Sequence, residues 1–451
     1  MGTRLKEPPS RPAVGESTSQ RKFGLALSGG GIRSGAVSLG VLQTLYASNT
    51  LSEFEYVSTV SGGGYPVYGL LYQMVKNERT LGDLLSDSGI IVRRAEKKAH
   101  FVRNSEVFVA LPLIPAYTAA SFHRQYTAAQ PIYKAKIHGT FGGGFYSTFG
   151  RPEIGDATAG KIQGFPTPIF GASASLGSPA PPRRGYSYRY GDFFEISPGF
   201  SGSPNIGYFT NAFNDVQMIA AVVISAAAID SPQGDVQLPD FVKAVNFGLG
   251  TGFSAPAQGK TNISFFLGDG GFIENMGILP LLRRGCTDIL VFDNSDDTEL
   301  FDAWFEFERR LPCEYPGWTV SEGLRSPEGI SPSTNKCDHW KLPSHIWSAR
   351  LKNDKKEVRV TYVKLGINSE KLEIYPPEVS AYATTNWSGF AKTNWVKGMP
   401  LACEGERLNR HCPFPVESTS DQSYTPDEFR AYRLLGKWLA DQAIPYFWKP
   451  Q

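Results

Sequence analysis

Three short stretches hold residues whose types and spacing could do chemistry: Gly29-Gly30-Gly31-Ile32-Arg33-Ser34, Thr59-Val60-Ser61-Gly62-Gly63 and Asp269-Gly270-Gly271. In the second, Phe54, Tyr56, Val57, Thr59 and Val60 favour a strand, Gly62 to Gly64 allow a tight turn, and Pro66 suits the first turn of a helix over Val67 to Met74. A serine at such a corner has its hydroxyl pushed outward, and the first amides of the next helix point at whatever binds there. That is how a weak nucleophile is presented. A buried structural serine beside a glycine turn is the competing interpretation of Ser61.

The triple glycine follows a short apolar strand, Phe23 to Leu27, and precedes a helix-patterned run, Ala36 to Leu45, with Val37, Val41, Leu42 and Leu45 at helical spacing. Backbone amides in this setting attract anions. A Walker loop is excluded because no Gly-Lys-Ser/Thr follows, and the third glycine of a dinucleotide fingerprint would fall on Ser34. The same amides could hold the oxyanion of an acyl-transfer reaction, where each fixed donor contributes on the order of 3 kcal/mol to the transition state. Such a role requires a nucleophile nearby and a base for it.

Six histidines are present, at 100, 123, 138, 339, 345 and 411, and none sits in a motif that recommends it as that base. Asp269 follows an apolar strand, Ser264 to Leu267, and is flanked by glycines that let another backbone approach. A carboxylate can take a serine proton directly when partial burial raises its pKa. A turn-forming aspartate is the alternative for Asp269. No ligand spacing in the chain implies a metal, and no cofactor is expected.

These stretches need elements to position them. The two successive strand, glycine turn and helix units, with further strands at Asp288 to Asp293 and Val358 to Leu365, predict an α/β architecture with a parallel sheet. Met218 to Ile229 is apolar nearly all round and reads as a buried helix. Thr425, Pro426 and Glu428 mark a capping box at the start of a C-terminal helix, with Tyr424 and Phe429 as its staple. Between about 82 and 207 the pattern is irregular, with an apolar run at Val107 to Ala120, a Gly/Phe/Tyr-rich piece at Gly139 to Gly150, and a Pro/Gly/Ser tract from Gly164 to Gly185.

The chain has 451 residues, with 47 glycines and 32 prolines, so a large core carries many loops. Forty-five basic residues against 43 acidic ones give a formal charge of +2, which makes no electrostatic case for nucleic acid. The five cysteines, Cys286, Cys313, Cys337, Cys403 and Cys412, are odd in number and predict free thiols, with a Cys403 to Cys412 loop bridge as the alternative. Residues 1–21 are polar, without the apolar stretch of a signal peptide, and are expected to be a disordered leader.

Together the three stretches resemble the motifs of the patatin-like phospholipase family, in its bacterial type: Gly-Gly-Gly-x-Arg-Gly at Gly29 to Ser34, Gly-x-Ser-x-Gly at Thr59 to Gly63, and Asp-Gly-Gly/Ala at Asp269 to Gly271. The Ala-rich helix near Ser225 is similar to the family helix between nucleophile and aspartate. Two positions depart from the pattern: Ser34 and Thr59 stand where the family has glycine, and Thr59 adds a β-branched side chain beside the turn.

The resemblance implies a three-layer α/β/α sandwich with a mainly parallel central sheet. One catalytic domain would span residues 22–445, with a core of 22–80 and 216–297, an insertion at about 82–207 as lid or regulatory region, and a completion at about 355–445. It further implies a Ser61–Asp269 dyad without histidine, and an oxyanion hole drawn from Gly29, Gly30, Gly31 and Gly62. Arg33, Ser34, Thr59, Gly63, Gly270 and Gly271 would support it, Arg33 by orienting its loop or meeting a phosphate. The expected substrate is a phospholipid or lysophospholipid, reached from the cytoplasm by transient contact with a membrane surface, and a homo-oligomer is compatible with this. A neutral-lipid or small-ester hydrolase, and a non-catalytic lipid- or nucleotide-binding protein with a degenerate site, are the alternatives.

Overall fold

The computed structural model describes residues 4–5, 21–98, 130–142, 153–157, 162–176, 191–210, 216–226, 251–256, 262–295, 301–330, 342, 344–396, 399–400, 414–415 and 424–449. In chain order the strands of its main sheet are β1 (Arg4–Leu5), β2 (Phe23–Leu27), β3 (Phe54–Val60), β4 (Thr167–Leu176), β5 (Asp192–Ser197), β6 (Phe200–Ser203), β7 (Gly207–Thr210), β8 (Thr251–Pro256), β9 (Asn262–Asp269), β10 (Asp288–Asp293), β11 (Thr319–Arg325), β12 (Ile346–Lys352) and β13 (Glu357–Lys364), and Trp395–Val396 pairs separately with Met399–Pro400. The α-helices are α1 (Gly31–Ala47), α2 (Gly64–Asn77), α3 (Leu81–Leu85), α4 (Ile90–Lys98), α5 (Gln130–Ile137), α6 (Met218–Ser225), α7 (Ile278–Arg283), α8 (Asp302–Glu314), α9 (Pro377–Asn394) and α10 (Pro426–Phe447).

The thirteen strands form one sheet in the order β1-β7-β6-β5-β4-β3-β2-β10-β13-β12-β11, with β9 joining at β4 and β8 at β9. Its centre, β4-β3-β2-β10-β13, is parallel throughout, and antiparallel strands extend both flanks. Side chains alternate between two cores, as a strand buried on both faces requires. Leu25, Leu27, Leu290 and Phe292 join the core under α1 and α10, while Ala26, Ile289 and Val291 join the one under α7 and α8. This is an α/β/α arrangement around a central sheet.

α1, which begins at the glycine loop, is held by α10 through contact of bare backbones. A Cβ at Gly40 would stand 1.9 Å from the Arg433 carbonyl oxygen, and one at Gly436 2.2 Å from that of Val37. α10 begins as its capping box predicts, the Thr425 side chain accepting from the Glu428 N–H and the Glu428 carboxylate from the Thr425 N–H.

Several expectations are corrected. The stretch read as an insertion contributes β4 to β7 to the sheet, so the Gly164 to Gly185 tract contains a central strand. Its Pro168 and Ala-Ser alternation hid a strand that other strands hold in place. Phe141, in the Gly/Phe/Tyr-rich piece of that irregular stretch, is fully buried against Tyr65 and Phe429. Arg4 and Leu5, read as disordered, pair with β7. Residues 1–3 and 6–20 of the leader, Val107 to Ala120, residues 143–150, Ala227 to Ile229, and Cys337, Cys403 and Cys412 lie outside the described residues. Cys286 and Cys313 are free thiols. Among the described residues no helix is long and apolar enough to cross a membrane.

Candidate active site

The site forms where two strands meet end to end along a third. On one edge of β4, parallel β3 pairs Thr59 with Phe170 and Val60 with Gly171, and antiparallel β9 then pairs Asp269 with Ala172. β5 pairs with Phe170 to Ala174 and occupies the other edge. β3 and β9 thus approach each other from opposite directions, and Ser61 and Asp269, at their ends, face one another.

Ser61 has a backbone φ of 49°, in the left-handed region that a non-glycine residue enters at a cost. Ser225 at the end of α6 fixes that conformation: its hydroxyl accepts from the Ser61 N–H at 2.9 Å and donates to the Gly171 carbonyl at 2.5 Å. Both backbone groups are buried, so the serine satisfies what would otherwise be two orphans beside the turn. Sequence patterning drew attention to this helix without revealing what its last serine does.

Asp269 is 5% exposed, and burial raises its carboxyl pKa to about 7, against the opposing pull of the Gly271 N–H and the Ser61 hydroxyl. The Gly271 N–H donates to Asp269 Oδ1 at 2.8 Å. No cationic side chain among the described residues pairs with this carboxylate. Burial also raises the pKa of Tyr65 and Tyr133, whose hydroxyls hydrogen-bond each other at 2.8 Å, and the charge of Asp269 raises both further. A hydroxyl on a strained corner beside an uncompensated carboxylate of near-neutral pKa has the parts of a nucleophile and its base.

The glycine loop reaches this pair directly. A Cβ at Gly62 would stand 1.9 Å from the Gly31 carbonyl oxygen, so only glycine permits the two turns to touch. Gly30 caps α1, Gly31 begins it, and Gly62 lies in the turn leading to α2. Such positions have no carbonyl one turn back in their own helix to bind. Gly29 is different. Its N–H donates to the Asn275 carbonyl at 2.9 Å, which takes it out of the set of donors open to an oxyanion. Gly63 and Gly270 allow close packing, since a Cβ would stand 2.4 Å from the Leu27 carbonyl oxygen and 2.6 Å from that of Gly171, respectively.

The remaining predicted residues act on the loop. Arg33 is buried, and its Nε donates to the Asn294 carbonyl at 2.9 Å, which orients the loop and leaves its head group away from solvent. Ser34, where the motif has glycine, donates to the Ser28 carbonyl at 2.5 Å and accepts from Asn294 Nδ2 at 3.2 Å. Asn294 thus ties the loop to the end of β10, a role that nothing in its sequence surroundings announced. Thr59 is fully buried with its hydroxyl donating to the Ile169 carbonyl at 3.3 Å. The missing side chain of Gly64 leaves it room, because a Cβ there would stand 3.0 Å from Thr59 Oγ1.

His138 hydrogen-bonds Tyr68, and buried His345 hydrogen-bonds Tyr375; the other four histidines lie outside the described residues. Among the described residues no group of three or more His, Cys, Asp and Glu side chains could hold a metal ion.

No family model matches the sequence, and no curated protein matches it. Solved structures do. The chain is similar to human GIVD cytosolic phospholipase A2, with a TM-score of 0.61 and 13% identity over 94% of this chain and 61% of that one. The same human enzyme in complex with methyl γ-linolenyl fluorophosphonate matches with a TM-score of 0.55 and 14% identity, over 94% of this chain and 58% of that one. The chain therefore spans about three fifths of the length of the structures it matches, and shares their fold. Both are human, so a bacterial type draws nothing from them.

Proposed function

We propose that the protein is a lipid acyl hydrolase of the phospholipase A or lysophospholipase kind. The observation that carries this is the meeting of Ser61, at a backbone φ of 49°, with Asp269, a buried carboxyl of pKa about 7 that has no cationic partner among the described residues. The shared fold with a cytosolic phospholipase A2 favours a lipid ester as substrate over other acyl compounds.

In this reading the Ser61 hydroxyl attacks the acyl carbonyl while Asp269 takes its proton. The oxyanion is received by the N–H groups of Gly30, Gly31 and Gly62. Collapse of the tetrahedral intermediate breaks the bond to the alcohol, which leaves with the proton from Asp269, and an acyl-serine ester remains. Water then attacks that ester, Asp269 again takes and returns a proton, and fatty acid and free serine result. Histidine is not needed, because the carboxyl itself titrates in the working range. The substrate's location calls for transient contact with a lipid surface.

Fatty-acid release from phospholipid vesicles by wild type, Ser61→Ala and Asp269→Asn tests the pair, and undiminished release by either variant overturns it. Turnover of triacylglycerol and phospholipid measured side by side separates this reading from a neutral-lipid hydrolase on the same residues. Failure of a fluorophosphonate to label Ser61 would favour a non-catalytic lipid-binding protein.

A further inference from the structure

Beside the proposed pair stands a polar side chain that the motifs do not include. Asn275 follows Asp269 by six residues, in the turn before α7. Its backbone is anchored on two sides. The carbonyl accepts from Gly29, and the preceding residue, Glu274, is buried with its carboxylate accepting from the N–H groups of Met276 at 2.6 Å, Gly277 at 2.9 Å and Leu279 at 3.3 Å. Its carboxamide, by contrast, makes no hydrogen bond to any described residue and is only partly buried.

Two glycines make room for that carboxamide. A Cβ at Gly29 would stand 2.2 Å from Asn275 Oδ1 and 3.3 Å from the Ser61 Cβ. A Cβ at Gly271 would stand 2.8 Å from Asn275 Oδ1 and 3.1 Å from Asp269 Oδ1. One point is thus near both Asn275 and the carboxylate that would pass a proton to the leaving alcohol. Such an amide, held rigidly with its donors and acceptor uncommitted, loses hydrogen bonding to water when a substrate enters unless the substrate supplies a partner.

We propose that Asn275 is a substrate-contacting residue that hydrogen-bonds the alcohol half of the ester, at the polyol oxygens next to the scissile bond. This rests on the hydrolase reading above and adds to it a preference for leaving groups that carry a vicinal oxygen, as glycerol esters do. The oxygen that departs must receive the proton of Asp269, so it lies on the Asp269 side of the acyl carbon, and Asn275 flanks that side. An aryl leaving group offers no such oxygen and gains nothing from the contact.

The test compares Asn275→Ala with wild type on a 1-acyl lysophospholipid and on the p-nitrophenyl ester of the same fatty acid. Loss of one neutral hydrogen bond predicts a fall in kcat/KM of about tenfold for the lysophospholipid and under twofold for the aryl ester. Equal losses on both esters, or no loss on either, overturn the assignment. Fluorophosphonate labelling of Ser61 at the wild-type rate in Asn275→Ala shows that the variant is folded with its nucleophile intact. A second measurement does not need turnover: in the Ser61→Ala background, Asn275→Ala should weaken binding of a non-hydrolysable 1-O-alkyl lysophospholipid about tenfold, and unchanged binding overturns the contact. An unlabelled and inactive wild type would instead overturn the hydrolase reading, and the assignment of Asn275 with it.

Discussion

Asp269 and Asp293 are both buried, both end a strand of the same sheet, and have opposite chemistry. At Asp293 burial alone would raise the carboxyl pKa, yet the buried Lys364 ammonium at 2.8 Å, with Ser295 and Tyr362 hydrogen-bonded to the same carboxylate, holds it below the ordinary range. At Asp269 burial meets no cation, and the carboxyl rises to about 7. Burial makes a carboxylate reactive only where its neighbours leave the charge uncompensated. The compensated one instead supports the glycine loop, since the next residue, Asn294, grips Ser34 and Arg33.

The largest effect separating the two carboxylates should come from Asp269→Asn, which, like Ser61→Ala, should lower fatty-acid release by at least about a thousandfold. Asp269→Asn should also be more stable than wild type in alkaline buffer. A carboxyl whose folded pKa lies above its unfolded one binds more protons when folded, so its destabilising effect develops as the pH rises toward about 7 and is absent below about 4. Thermal melts at pH 8 and pH 4 should show a raised midpoint at the first only. A variant less stable at pH 8 would mean that Asp269, like Asp293, is a compensated structural charge.

Lys364→Met tests the opposite member. It leaves Asp293 buried without its cation and should cost about 3 kcal/mol in denaturant unfolding, much of it recovered in the double variant with Asp293→Asn. The contribution of Asp293 has the reverse pH sense: it is present above the ordinary carboxylate range and lost in stronger acid, as the pH falls through its lowered folded pKa.

A pH profile of kcat/KM sharpens the contrast. Its acid limb should have a midpoint near 7, with about a tenfold loss per pH unit below it, because Asp269 must be ionised to take a proton. Glu274, also raised to about 7 by burial, is engaged by backbone N–H groups at the start of α7, so the limb should persist in Glu274→Gln. A limb that vanished in that variant would assign it to the wrong carboxyl.

Smaller effects are expected from residues that hold the pair. Ser225→Ala leaves the Ser61 N–H and the Gly171 carbonyl without their partner, and kcat should fall by about tenfold with KM little changed, a split that initial-rate kinetics resolves. Thr59→Ser keeps the hydroxyl that Ile169 accepts, removes a methyl, and should change kcat/KM by less than about twofold in the same assay. A large effect there would make the β-branched side chain part of the corner's geometry.

How much of this was legible in the sequence follows from how local each signal is. Ser61, the glycine loop and Asp269 sit in turns whose residue types are dictated by the adjacent strand and helix, so their patterns survive without the fold. α1 begins at Gly31 and not at the predicted Ala36, because glycines at 31 and 35 mask a helix that its packing partners stabilise. β4 escapes local patterning for the same reason in reverse, its Pro168, Gly171 and alternating alanines and serines being poor strand formers that three neighbouring strands organise. Ser225 and Asn294 gain their roles by reaching Ser61, 164 residues away, and Ser34, 260 residues away, and no local pattern carries that information.

The meeting of β3 and β9 on β4 has a consequence for how this molecule can drift. The β4 partners of Val60 and Asp269, Gly171 and Ala172, are adjacent, so the ends of β3 and β9 are set one strand repeat of about 3.3 Å apart. Segments joining the three strands can lengthen or shorten without altering that measure. A slip of β9 by a single residue cannot be absorbed, since it would turn Asp269 to the other face of the sheet and hand its place to Gly268 or Gly270. The glycines on either side of the aspartate therefore leave the sheet one register in which a carboxylate meets the serine.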